Sequence, residues 1–122
     1  MEWQFRSDSP IYTQLTQRLT QAIIAGVYQP GERLPSVRDL AVEAGVNPNT
    51  VQRSLADLER DGLVFSQRTA GRFVTENIHM IENAKLRLAD RCVAEFLSEM
   101  AKLGCGREEV IALLQGMKEE EQ

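Results

Sequence analysis

The sequence predicts a mostly α-helical chain with one small β-hairpin, ordered as three helices, the hairpin and two further helices. Three observations lead there. Stripes of apolar residues at helical spacing are preceded by capping residues or prolines and followed by glycines. Two short apolar runs flank a polar, glycine-containing break, as hairpin strands do. Beyond residue 75 the helical spacing returns and persists almost to the end.

Ser9 and Pro10 open the first helix, a capping residue followed by a proline whose missing N–H is harmless at a helix start. Ile11, Leu15, Leu19, Ala22 and Ile23 form its apolar face through Ala25, and Gly26 ends it. Residues 27–34 form a turn and a short extended piece. Pro35 cannot extend a preceding helix, Ser36 caps the next one, and Asp39 three residues later completes a capping-box spacing. Val37, Leu40, Ala41 and Ala44 make the second helix's stripe, and Gly45 suits the left-handed residue that ends it. Val46 is the apolar residue of the turn, tucked under both helices. Asn47 is the N-cap of the third helix and Pro48 its first residue. Val51, Leu55 and Leu58 are its buried stripe, closed by Asp61 and Gly62. Residues 63–67 and 72–75 read as strands joined by Arg68, Thr69, Ala70 and Gly71.

Two short helices across a tight turn make a helix-turn-helix, and the added hairpin makes it winged. Asn49, Thr50, Gln52 and Arg53 fall off the buried stripe of the third helix. Short polar groups and a guanidinium suit base edges and phosphates in a major groove. Arg68 and Arg72 at the hairpin tip can straddle a phosphate backbone or enter a minor groove. Each feature also has an ordinary structural reading: Asn47 and Pro48 start a helix anywhere, and Arg53 can be a solvated surface arginine.

Residues 9–75 resemble the DNA-binding domain of the GntR family of bacterial transcription regulators. The matching runs are residues 10–12, 26–41, 45–51, 58–63 and 71–74. The wording at Ser36, Val37 and Arg38 and at residues 47–50, with so short a C-terminal part, looks most like the YtrA subfamily. The resemblance implies that Ser36 and Arg38 meet DNA from the second helix. It places Asn47, Asn49 and Thr50 at the opening of the recognition helix, with Gln52 and Arg53 following. It gives Arg68, Thr69, Gly71 and Arg72 of the wing the minor groove or its phosphates. The family's wing often reads Gly-x-Gly-Thr-Phe-Val; here Thr69 stands for the first glycine and Arg72 for the threonine. Thr69 tolerates positive φ poorly, which predicts a tip of different shape.

The chain has 122 residues and a net charge of −4, an unusual sign for a nucleic-acid binder. Residues 1–75 hold 8 Arg, no Lys and 8 acidic residues, while residues 76–122 hold 6 basic and 10 acidic ones. The acidity therefore lies outside the winged helix, ending in Glu119, Glu120 and Glu121. Arginine without lysine favours bidentate recognition over diffuse attraction. A neutral DNA-binding part should be sensitive to salt. No basic region followed by an apolar run opens the chain, and the longest apolar runs fall far short of the roughly 20 residues that span a bilayer. A cytoplasmic protein without membrane contact is expected.

Residues 76–122 read as two helices, the first from about 78 to 103, ended by Gly104. Ile81, Leu88, Cys92, Phe96, Met100 and Leu103 make one stripe; Leu86, Ala89, Val93, Leu97 and Ala101 make a second beside it. Glu108 and Glu109 suit the first turn of the next helix, whose stripe is Val110, Leu113, Leu114 and Met117. Two helices cannot close a core alone. The expectation is a winged helix-turn-helix DNA-binding domain over 1–75 and a two-helix dimerisation segment over 76–122. The first stripe is the interface, and Cys92 is a buried small hydrophobe within it. The alternative is that the helices fold back on their own winged helix as a monomer. The short junction at Thr75, Glu76 and Asn77 couples the two parts mechanically.

No chemistry is indicated. His79 has no Cys or His at metal-ligand spacing, and Gly104, Cys105 and Gly106 form a helix–helix turn rather than a phosphate loop. No cofactor or metal is expected, and the protein is not expected to be an enzyme. Some family members carry an aminotransferase-like or a large effector-binding domain, for which this chain has no room. A small-molecule effector, unidentified by the sequence, would have to sit at the dimer interface or between the two parts. The reading is a homodimeric regulator of a palindromic double-stranded operator, a repressor of its own operon, which the subfamily resemblance suggests encodes a transporter. The alternative is a winged helix that binds proteins rather than DNA.

Overall fold

Seven elements follow one another in a computed structural model that describes residues 3–117. They are α1 (Ile11–Ile24), α2 (Val37–Ala44), α3 (Pro48–Arg60), β1 (Val64–Gln67), β2 (Gly71–Val74), α4 (Ile78–Lys102) and α5 (Arg107–Gly116). Residues 119–121, the acidic end, lie outside the described residues. The order is the expected one: a mostly helical chain with a single antiparallel hairpin, built as a winged helix-turn-helix with two helices after it.

The chain divides into two compact units, Met1–Lys85 and Leu86–Gln122. In the first, α3 packs on α1, α2 and β1. Leu15 and Leu19 of α1, Leu40 of α2, and Val51, Leu55 and Leu58 of α3 are fully buried in one cluster with Leu63, Val64 and Val74 of the wing. Ala84, early in α4, is buried in the same cluster and Ile81 is packed partly against it. The opening turns of α4 thus belong with the winged helix, ten residues past the boundary the sequence suggests. Ile81 is correspondingly withdrawn from the stripe offered for association.

Local chemistry explains most boundaries. Ser36 Oγ accepts from Asp39 N at 3.0 Å, and Asn47 Oδ1 accepts from Asn49 N at 2.8 Å with Pro48 next in the chain. Gly45 sits at φ 69°, the left-handed turn between α2 and α3 that a Cβ would strain. Val46 lies half-buried against the core. Asn77 Oδ1 caps α4, accepting from His79 N at 3.0 Å.

The start of α1 differs from expectation. Pro10 is itself the N-cap, extended at ψ 140°, with no side-chain capping bond, so Ser9 does not cap. Gln14 reaches back instead: its Oε1 accepts from Arg6 N, and its Nε2 donates to Arg6 O, both at 2.7 Å. This ties down an N-terminal arm that has no helical or strand periodicity. Trp3 and Phe5 on the arm stack at 6.2 Å and pack against the core.

The wing is a hairpin in the register Val64↔Val74, Phe65↔Phe73, Ser66↔Arg72 and Gln67↔Gly71. Ala70 N donates to Gln67 O at 3.0 Å, closing a turn. Gly71 takes the positive φ, 103°, and no non-glycine residue described does, so Thr69 is spared the conformation it resists. The extended piece before α2 joins this sheet edge. Leu34 N donates to Arg72 O and Val74 N donates to Glu32 O, with Arg33 bridged to Phe73.

In the second unit, Val110 is the buried side chain among the described residues. Phe96, Val93, Leu103, Leu113 and Leu114 are exposed. Cys92, expected to be buried, is exposed as well. Two helices do not provide enough neighbours to cover both faces of α4, so the residue faces outward in the single chain.

Candidate nucleic-acid interface

The α2–turn–α3 pair presents the polar residues that the sequence singled out. Arg38, in the first turn of α2, is exposed. Asn49 and Gln52 are exposed on α3, and Thr50 is half-buried at its opening. Ser36 and Asn47 spend their side-chain oxygens on the caps. Their contribution to a site is therefore to aim the helix ends and the free N–H groups there, which suit anionic oxygens. Arg68 and Thr69 stand exposed at the wing tip, with Gly71 after them.

Arg53 has a partner the sequence did not reveal. Its guanidinium carbon lies 3.5 Å from the centroid of the Tyr12 ring. The neighbouring residue, Ser54, is fully buried and donates from Oγ to Tyr12 O at 3.0 Å. Tyr12 thus holds α3 twice, through its backbone carbonyl and its ring face. The stacking restrains Arg53 without neutralising it, since a cation–π contact leaves its N–H groups free for phosphate or base edges.

Arg72 is placed differently from expectation. It does not project from the wing tip. Its Nε donates to Glu59 Oε1 at 2.8 Å and its Nη2 to Gln52 Oε1 at 3.3 Å. Ser66, its cross-strand partner, donates to the same Glu59 oxygen. The register explains this: residues 66 and 72 share one face of the hairpin, and that face meets α3. Arg72 is consequently a clamp between wing and recognition helix, and its charge is matched by Glu59. Two of the residues expected at DNA, Gln52 and Arg72, are brought together by it.

The two donors hold the Glu59 carboxyl below the usual glutamate range, the Ser66 hydroxyl contributing most and Arg72 next. Its charge therefore stabilises the fold at pH values above that range, and the contribution is lost as acid protonates the folded carboxylate. Glu59→Gln is expected to lower the melting temperature near neutrality. The gap to the unsubstituted chain should close as the pH falls below the usual glutamate value of 4.5. A gap that stays constant from pH 7 to pH 3 in thermal melts would contradict the assignment.

Three arginines of this surface, Arg38, Arg53 and Arg68, have no carboxylate partner among the described residues. Such a set, mounted on a helix-turn-helix and a wing, defines a DNA-binding regulator. Residues 11–74 match the family described as "Bacterial regulatory proteins, gntR family", and the chain belongs to that family.

Its relatives agree. The regulator YhcF of Bacillus subtilis is 36% identical over 118 residues, covering 97% of this chain and 95% of that protein. The repressor YtrA of the same organism is 42% identical over 72 residues, 59% of this chain and 55% of its own. A GntR family transcriptional regulator from Listeria monocytogenes superposes with a TM-score of 0.82 at 36% identity, covering 93% of this chain and 100% of the other. The AraR DNA-binding domain in complex with operator ORX1 gives 0.57 at 26% identity, over 62% of this chain and 96% of that domain. The chain is a YtrA-like DNA-binding transcriptional regulator of the GntR family.

Proposed function

We propose that the protein is a homodimeric repressor that binds a palindromic operator in its own operon, one that encodes a transporter. The observation that supports this most directly is the set of exposed arginines, Arg38, Arg53 and Arg68, left without carboxylates around a recognition helix that opens on Asn47, Asn49 and Thr50. The AraR DNA-binding domain, which shares this fold at 26% identity, is in complex with an operator, and the relative YtrA is named a repressor. Arg38, Asn49, Thr50, Gln52 and Arg53 serve the major groove, and Arg68 and Thr69 the adjacent minor groove or its phosphates.

Pairing is assigned to the second unit, through Leu88, Cys92, Phe96, Met100 and Leu103. A two-fold pair of winged helices reads half-sites about 34 Å apart, or multiples of that. No helix among the described residues is long and apolar enough to cross a membrane.

Fluorescence anisotropy tests the reading. The protein, titrated onto DNA from upstream of its own gene, should prefer it over a scrambled duplex at equal salt by at least ~10³. Equal, weak binding to both would sink it. Arg38→Ala should then weaken operator binding by about 1–3 kcal/mol with the melting temperature unchanged. A folded variant of undiminished affinity would remove Arg38 from the interface.

A further inference from the structure

The clamp at Arg72 has a consequence for which bases the recognition helix accepts. Glu59 and Gln52 are seven residues apart on α3, two helical turns along one face, and the guanidinium of Arg72 reaches both. Glu59 anchors it, with Ser66 donating to the same oxygen. A guanidinium has donors only, so the Gln52 atom that faces it is the carbonyl oxygen. The amide nitrogen of Gln52 is thereby turned away from the wing, on a side chain that is exposed.

We propose that Arg72 is a positioning residue for base readout: by occupying the Gln52 carbonyl it makes Gln52 present an N–H donor to the major groove. A free glutamine reads adenine with both ends of its amide, accepting from N6 and donating to N7. With its oxygen engaged, Gln52 favours edges that only accept, O6 and N7 of guanine or O4 of thymine. Arg72 stands where the family resemblance has threonine, and a threonine side chain carries no guanidinium to reach two turns of α3. The specificity of this chain at one operator position is thus set from the wing, by a residue that touches no base.

The inference rests on the DNA-binding reading, and its test separates the two. Binding sites are selected from a randomised duplex pool with the full chain and with Gln52→Leu, Arg72→Leu and Arg72→Lys, at one salt concentration. Gln52→Leu should flatten one position per half-site and so mark where Gln52 reads. At that position the unsubstituted chain should disfavour adenine by about tenfold. Arg72→Leu should remove that discrimination there while leaving the preferences at other positions in place, and Arg72→Lys, which keeps a donor, should recover part of it.

A merely structural role for Arg72 would weaken all positions together, and that outcome overturns the proposal. So does an adenine preference already present in the unsubstituted chain, or an Arg72→Leu pattern identical to it. Should Arg72→Leu fail to fold by circular dichroism, Glu59→Ala releases the same guanidinium from its anchor and is expected to relax the same position. A Glu59→Ala pattern unchanged there overturns the proposal as well. If the unsubstituted chain enriches no sequence at all, the operator-binding reading falls and takes this inference with it.

Discussion

Cutting Leu55 back to alanine is expected to cost about 2–5 kcal/mol of folding stability, the range for a fully buried leucine that leaves a cavity. Leu55 is 0% exposed in the cluster where α3 lies against α1 and α2. Its neighbours along α3, Val51 and Leu58, are equally buried, so the helix has little freedom to collapse into the gap. A small domain holds roughly 5–15 kcal/mol in total, and each kilocalorie moves the melting temperature of one this size by about 4–8 °C. Urea denaturation followed by circular dichroism measures the loss. A change below ~1 kcal/mol would mean that α3 is not seated as described. The contrast with Arg38→Ala is informative, because Leu55 holds the recognition helix whereas Arg38 is exposed on α2. Leu55→Ala should lower the melting temperature yet leave the folded fraction with its choice of sequence intact, the reverse of the expectation for Arg38.

The parts of this fold that the sequence disclosed are those whose causes are local. Ser36 with Asp39, and Asn47 with Pro48, are helix starts written within four residues, and both Ser36 and Asn47 cap with their side-chain oxygens. The buried stripe of α3 follows from spacing alone. Ser54 was illegible because it is a small polar residue beside that stripe, and its burial depends on Tyr12, 42 positions away. Arg53 over Tyr12 was hidden for the same reason. Arg72 was assigned to the wing tip because its neighbours in sequence are there; only the strand register turns it inward onto Glu59. The N-terminal arm did carry a signal, Trp3 and Phe5 spaced as alternate residues, but a pair of aromatics is too short for any periodicity. Ile81 joined the wrong stripe because helical spacing shows that residues share a face and says nothing about where along α4 the partner of that face changes.

That change of partner bears on the second large effect, at Phe96. From Leu86 on, α4 buries none of its large apolar residues: Phe96 is 43% exposed, Val93 55% and Leu103 75%, while Leu88, Leu97 and Met100 are half-buried. Scattered apolar residues are ordinary on a surface, but a run of them along one helix, with α5 adding Leu113 and Leu114, is the composition of an interface. An aromatic ring is the side chain that contributes most per residue when such a face is covered. Phe96→Asp is therefore expected to weaken self-association by at least ~2 kcal/mol, about thirtyfold in the dissociation constant. The folding of Met1–Lys85 should be untouched, because Phe96 lies outside that unit. Sedimentation equilibrium across a micromolar concentration series reads the shift from dimer to monomer. A two-fold operator binds a dimer through both half-sites, so the same substitution should also make operator binding depend more steeply on protein concentration. A Phe96→Asp chain that sediments as a dimer at micromolar concentration would move the interface off this face of α4. An unsubstituted chain that sediments as a monomer would refute pairing through the second unit altogether.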